Sequence, residues 1–238
     1  MSKNFKLFLG FTYLLLLAVF LYFVFSNIQI NRLNDFLYYK ELQLGLENFI
    51  SANFLINIIY FFIFAVAWVA LLGFGSPILI FSGILFGKWI GTIISIISIS
   101  IGALILYTIA NFFFRDTVKK ILDHKFKKYI QLFQKNEFYY FFAFRLAGGL
   151  GIPFFLQNVL PVIFKMKNYN YFFASFLGFA PIFFIWNTIG SGINKFIKVA
   201  DEFNFINLIL SREIYFPLII FIILILGSLI IKKKFFND

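Results

Sequence analysis

Arg145 is the residue whose type and setting could do chemistry in this chain. It stands in the run FYYFFAFRLAGGLGIPFF, residues 138–155, with no acidic residue beside it. A charged side chain at bilayer depth costs at least about 2.5–3.5 kcal/mol on insertion scales, so it faces a protein interior or a wet cavity. Arginine is suited to phosphate, which its planar guanidinium grips in a bidentate way. The competing reading is snorkelling, in which the side chain reaches headgroups from within about two turns of the interface. Gln157 and Asn158 follow on the short arm after Pro153. Their amides either hydrogen-bond a headgroup or tie the arm to a neighbouring helix. Gly148, Gly149 and Gly151 lie between. Without side chains they would let backbone amides approach an anion. Arg145, Gln157, Asn158, Gly148, Gly149 and Gly151 are therefore the candidate substrate-binding set.

Other chemistry is poorly supplied. The chain has one histidine, His124, inside a lysine-rich segment, and no cysteine. Thiolate chemistry is thus excluded, and no His/Asp/Glu cluster has metal-ligand spacing. No serine stands in a nucleophile elbow, and no glycine-rich loop precedes a phosphate-binding lysine. The expectation is a protein that is not an enzyme and needs no cofactor or metal. Asp and Glu are absent from residues 54–114 and 138–193. A proton-coupled transporter normally carries an intramembrane carboxylate, so coupling through such a group is disfavoured.

The elements that must position these residues are membrane helices. The 238 residues are 62% hydrophobic and 13% charged, with a mean hydropathy of +0.92. A globular domain is about 45–50% apolar and about 25% charged, so lipid must be part of this chain's solvent. A spanning helix needs about 20 apolar residues. Leu7–Phe25, Phe54–Leu72, Trp89–Phe114, Tyr171–Ile193 and Tyr215–Ile231 meet or approach that length. The run Leu7–Phe25 is too long for a secretory signal and no small-x-small site follows it.

Two further apolar stretches, residues 71–87 and 138–164, are broken by Gly75-Ser76-Pro77 and Gly151-Ile152-Pro153. Gly75, Pro77 and Pro153, and likewise Pro181 further on, interrupt a continuous helix. Lipid cannot satisfy the freed backbone groups, so each break must be buried in protein or line a cavity. The pattern reads as a repeat: a broken hairpin and then a spanning helix, twice. Two kinked helices are the plainer alternative.

Charge orders the topology. The formal net charge is +11. Residues 115–137 carry seven Lys or Arg against three acids, and Lys3, Lys6 and Lys232–Lys234 lie near the ends. Positive-inside topology places all three clusters in the cytoplasm if residues 54–87 dip in from outside and 138–164 from inside. The hairpins are then opposed, with four spanning helices and both termini cytoplasmic. Within the basic segment, Val118, Ile121, Leu122, Tyr129, Ile130 and Phe133 recur at helical spacing and predict an amphipathic interfacial helix. The lysines alternate with apolar runs, which favours anionic lipid over nucleic acid as the partner.

With these residues in view, the chain resembles the DedA-like, VTT-domain (SNARE-associated Golgi protein) superfamily. Gly75-Ser76-Pro77, Gly83-Ile84-Leu85-Phe86-Gly87, Gly91, Gly102-Ala103, Tyr107, Ala110 and Arg115 look like the first half of its pattern. Phe144-Arg145, Pro153-Phe154, Asn158, Gly178, Pro181 and Gly190 look like the second. The resemblance implies two opposed re-entrant hairpins and movement of phospholipid or polyprenyl-phosphate lipid. Three departures stand out: the Arg145-to-Pro153 spacing is longer by about two residues than in many members, Pro161 falls near a place where the family often has small residues, and the acidic residues of the undecaprenyl-phosphate branch have no counterpart in the first hairpin.

The expected fold is all-α and integral to a membrane, an inverted repeat of two re-entrant helical hairpins with about four spanning helices. Residues 1–53 form an N-terminal helix and outer loop. Residues 54–193 form the membrane domain, with repeats 54–114 and 138–193 around the basic segment 115–137. Residues 194–238 form an outer loop, a last helix and a basic tail. The expected function is a lipid transporter or scramblase in a bacterial inner (plasma) membrane, whose partners are anionic or phosphate-bearing lipids. The alternative is a non-transporting scaffold that organises anionic lipids or partner proteins.

Overall fold

A computed structural model describes residues 3–26, 32, 35–72, 74–122, 131, 133–200, 202 and 204–236. Every element among them is helical. In chain order the α-helices are α1 (Lys3–Phe25), α2 (Phe36–Ala52), α3 (Phe54–Leu72), α4 (Ser76–Leu122), α5 (Glu137–Leu146), α6 (Phe154–Val159), α7 (Asn168–Gly178), α8 (Ala180–Val199), α9 (Phe205–Leu210) and α10 (Arg212–Phe236), with short 3-10 turns at Gly148–Gly151 and Leu160–Val162. Two are long and apolar enough to cross a membrane, residues 54–71 and 76–113, or three if α7 and α8 count as one bent span. The expected spans Leu7–Phe25 and Tyr215–Ile231 fall on α1 and α10, parts of which lie outside the described side chains.

The first half doubles back twice. Gly75, with Pro77 as the second residue of α4, marks the start of a new helix, where proline's missing N–H costs nothing. Phe86 packs on Phe54 and Phe61 at ring separations of 6.1 and 5.3 Å. The end of α4's first arm, residues 76–86, therefore lies beside the beginning of α3. The chain then turns again at Gly87, whose φ of 73° and ψ of 177° suit glycine. Ser82 Oγ donates to Gly91 O at 3.1 Å. Nine residues of straight helix would hold those positions about 13 Å apart at 1.5 Å per residue, so residues 88–122 run back along the first arm. Gly102, on this second arm, presses against Val66 and Val69 of α3. Ser95, Ser98 and Ser100 are buried on it. Small residues at such seams let membrane helices approach closely.

The second half makes one tight hairpin. Gln134 Nε2 donates to Phe164 O at 3.0 Å, and the Phe133 and Phe164 rings stack at 4.3 Å, closing its base. Residues 147–153 form its tip. Pro153 is the N-cap of α6. α7 then returns alongside α5: the buried Glu137 accepts from Lys167 N at 3.2 Å and Asn170 Nδ2 at 2.6 Å, and Phe141 stacks on Tyr171 at 5.1 Å.

Two expectations need correction. Tyr171–Ile193 is not one straight span: the helix breaks between Gly178 and Ala180 with a bend of 47°, and Pro181 starts α8 near its first residue. Glu137, expected as the last residue of the basic segment 115–137, is instead the first residue of α5 and a buried one that caps the start of α7. The predicted amphipathic helix rests largely on residues 123–130 and on side chains between 114 and 122, which lie outside the described residues, as does His124. The segment between α1 and α3, expected as an outer loop, contains a 17-residue helix, α2, whose N-cap Asp35 accepts from Leu37 N at 3.0 Å.

Candidate functional site

The Arg145 side chain is 1% exposed and is the largest fully buried side chain in the protein's described core. Glu137, Phe141 and Arg145 are the buried positions of α5. Their four-residue spacing is one helical face, the face turned toward α6 and α7. Nη1 of Arg145 donates to Gln157 Oε1 at 3.2 Å. Nη2 donates to Asn158 Oδ1 at 2.7 Å and to the Tyr171 hydroxyl at 3.1 Å. Closure of the hairpin thus brings together three of the residues singled out by sequence. The snorkelling reading of Arg145 does not survive this geometry, because the guanidinium points into protein.

Aromatic rings complete the cage. The guanidinium carbon lies 4.6 Å from the centroids of both Phe141 and Phe179, and 5.6 and 5.7 Å from Phe154 and Tyr171. Each such contact is worth about 0.5–1 kcal/mol at an exposed site and about 2 kcal/mol when desolvated, as here. Tyr171 in turn stacks on Tyr107 at 4.5 Å, and the Tyr107 hydroxyl donates to Met166 O. Gly178 is needed for fit: a Cβ there would fall under 3.0 Å from Arg145 Cβ. These aromatic partners were not legible in the sequence. Forty phenylalanines make any one ring uninformative. The usable signals were Phe141, one turn before Arg145, and Tyr171, a hydroxyl-bearing ring just ahead of Phe172 and Phe173.

The cation is held by neutral groups alone. Among the described residues Arg145 has no ion-pair partner, and its Nε is buried without a hydrogen bond. Ring faces and amide oxygens lower the cost of burying the charge but do not neutralise it. Beside it is a cavity of about 250 Å³. Gly75, Ser76 and Leu79 line it from the first break and Gly148, Leu150 and Gly151 from the second. The two breaks meet directly: Gly75 sits against the Phe154 ring, and Phe74 and Phe155 lie 6.2 Å apart. Among the described residues no carboxylate lines this space.

The glycines of the tip do different work from one another. Gly148, Gly149, Leu150 and Gly151 all have positive φ, between 54° and 78°. A Cβ added at Gly149 would collide with the Gln157 amide, whereas one at Gly148 or Gly151 would meet open space. Gly149 is therefore the floor on which Gln157 rests while its Nε2 donates to Ile152 O at 2.7 Å. Gly149→Ala is expected to displace Gln157 from Arg145 and weaken anion binding. Gly148→Ala and Gly151→Ala should cost only the left-handed backbone term, about 1–2 kcal/mol each. Thermal unfolding in detergent alongside titration with short-chain phosphatidic acid separates the two behaviours. Equal binding by all three variants would remove Gly149 from the site.

Asn187 and Gly190 are at the crossing of α8 with α4's first arm. Asn187 is fully buried and its Nδ2 donates to Phe183 O at 2.9 Å. Lys88 is exposed at the Gly87 turn with its ammonium 5.8 Å from the Trp89 ring centroid.

The family model for the VTT domain matches residues 72–192, just over half of the chain. No curated protein and no solved structure matches it. The matched span begins just before the first break and ends just after the α8 crossing, so it encloses both breaks, Arg145 and its amide and hydroxyl partners. The chain belongs to the VTT domain family, the DedA/SNARE-associated Golgi protein type, and is an integral membrane protein.

Proposed function

We propose that this protein moves phosphate-bearing lipid across the bilayer, as a transporter or scramblase. The observation that carries the reading is a fully buried arginine with no carboxylate partner among the described residues, set beside a cavity walled by two broken helices. An anionic headgroup would supply the missing negative charge. The unpartnered Nε and the second hydrogen of Nη1 are the donors available to it, since a guanidinium carries five N–H groups and three are engaged. Gln157 and Asn158 then act on the headgroup indirectly, by fixing the guanidinium.

In this proposal residues 54–87 and 138–164 are re-entrant hairpins entering from opposite faces, as halves of an inverted repeat. Both termini are cytoplasmic, in the inner membrane of a bacterium. The chain reversals at Gly75 and Gly87 and across residues 147–153 support it, as does the meeting of the two tips. Backbone broken at membrane depth is tolerated where it lines such a cavity. Discontinuous helices near the midplane mark substrate sites in transporters built from inverted repeats. The proposal contains no covalent step.

The test uses purified protein in liposomes with a fluorescent phosphatidylglycerol distributed over both leaflets. Dithionite bleaching of the outer leaflet should proceed to completion with the protein and stop near half without it. The same assay with and without a sodium or proton gradient separates a coupled transporter from a scramblase. Bleaching that stops near half in every condition would leave the scaffold reading in its place.

A further inference from the structure

The cavity beside Arg145 is not closed by the VTT domain alone. Phe221 of α10 lines it, and Phe221 lies outside the matched residues 72–192. Its ring meets Trp186 of α8 edge-on at 5.4 Å. Trp186 also lines the cavity. On the other side of α10, Phe216, Ile219, Ile222, Ile223 and Leu226 are exposed apolar residues, a face that in a membrane meets lipid tails. One helix thus separates the Arg145 cavity from lipid.

That helix is fastened at one end. Gly192 of α8 receives Glu213 and Ile214 of α10 so closely that a Cβ would sit at 3.0 Å or less from both. Ile214 is buried. Pro217 follows inside the helix. It removes the hydrogen bond that residue 217 would give to Glu213 O, and its ring crowds that turn, which makes it a place where a helix bends. Phe221 comes one turn later. Anchor, weakened turn and wall residue therefore follow one another along the first three turns of α10.

We infer that α10 is a lateral door to the site, hinged at Pro217 and latched by Phe221 on Trp186. It lets the headgroup of an anionic lipid reach Arg145 while the tail stays in the bilayer. The inference rests on the reading of Arg145 as an anion site. It adds a substrate-contacting wall from outside the family domain.

The experiment has two arms. Trp68→Phe with Trp89→Phe leaves Trp186 as the sole tryptophan, because the chain has three. Its quenching by phosphatidylglycerol brominated on the acyl chains is measured in vesicles. Phe221→Ala should raise quenching, because the ring that screens Trp186 is gone. Unchanged quenching in Phe221→Ala overturns the assignment of Phe221 as the wall. In the second arm, Trp186→Cys with Phe221→Cys is joined by a short thiol cross-linker in this cysteine-free chain. Cross-linking should stop lipid movement, and a cleavable linker should restore it on reduction. Movement at the uncross-linked rate overturns the door. If the wild-type protein moves no lipid at all, the transport reading fails, and the quenching arm decides the door by itself.

Discussion

Arg145→Met is expected to leave a folded protein that no longer binds anionic lipid. Methionine keeps most of the volume between the Phe141 and Phe179 rings, 4.6 Å on either side of the guanidinium, so the cage need not collapse. Two effects on stability oppose each other. Gln157 Oε1 and Asn158 Oδ1 lose their donor, at about 1–3 kcal/mol for each group left unsatisfied. Against this, an unneutralised cation is no longer held out of water, which relieves a burial cost of several kcal/mol. Binding has no such compensation. A hydrogen bond to a charged group is worth about 1.5–3 kcal/mol, and 1.4 kcal/mol is tenfold in affinity. Losing the guanidinium should thus lower affinity for phosphatidic acid about 10- to 100-fold and stop transbilayer movement. Arg145→Lys is the sharper control. It keeps the charge, but one ammonium cannot reproduce the planar fork that meets Gln157, Asn158 and Tyr171 at once. Equilibrium binding and the vesicle assay, each referred to a matched unfolding curve, check both variants. Wild-type movement by a folded Arg145→Met would take Arg145 out of the mechanism.

The same residue shows what could be read without a structure and what could not. Arg145, Gln157 and Asn158 were legible together because they lie within 14 residues on two arms of one local hairpin. The break at Pro153 nearly dictates that they meet. The breaks at Gly75 and Pro77 were legible for the same reason, since glycine and proline act on the chain locally. Tyr171 and Phe179 reach Arg145 by long-range packing, with Tyr107 stacked behind Tyr171, and a composition this rich in aromatics hides which ring will arrive. Glu137 was misassigned because its neighbours in sequence are basic and polar. Its four-residue spacing from Phe141 and eight-residue spacing from Arg145 put it on the buried face, which outweighs neighbourhood. The bend in Tyr171–Ile193 was signalled by Gly178 and Pro181. What the length of the run concealed is that Gly178 is small for the sake of Arg145 Cβ.

Gly190→Ala is expected to disrupt the fold more than any other single methyl group added to this chain. At the crossing of α8 with residues 76–86 the backbones touch. A Cβ at Gly190 would lie under 3.0 Å from Ile80 O, and one at Gly83 under 3.0 Å from Asn187 O. Both obstacles are backbone carbonyls, so no side-chain rotation relieves them. The helices must move apart, and the movement opens the seam along its length. Gly91 shares that seam, with Asn187 Oδ1 and Ser82 O also under 3.0 Å from the place of its Cβ. Overpacking a tight site costs about 1–3 kcal/mol, occasionally more. Separating two membrane helices also forfeits the close van der Waals contact that holds them, since lipid tails offer no hydrophobic penalty to drive them back. Gly190→Ala and Gly83→Ala should each lower the midpoint of thermal unfolding in detergent and the yield of monodisperse protein. The double variant should cost less than the sum of the two, because the first substitution already parts the helices for the second. Strict additivity would mean that the glycines act separately and that this crossing is not one contact. Lipid movement should fall with the folded fraction and no further, because neither glycine lines the cavity beside Arg145. That proportionality separates the scaffold of this site from its chemistry: Arg145 variants should lose movement while folded, and glycine variants only as far as they unfold.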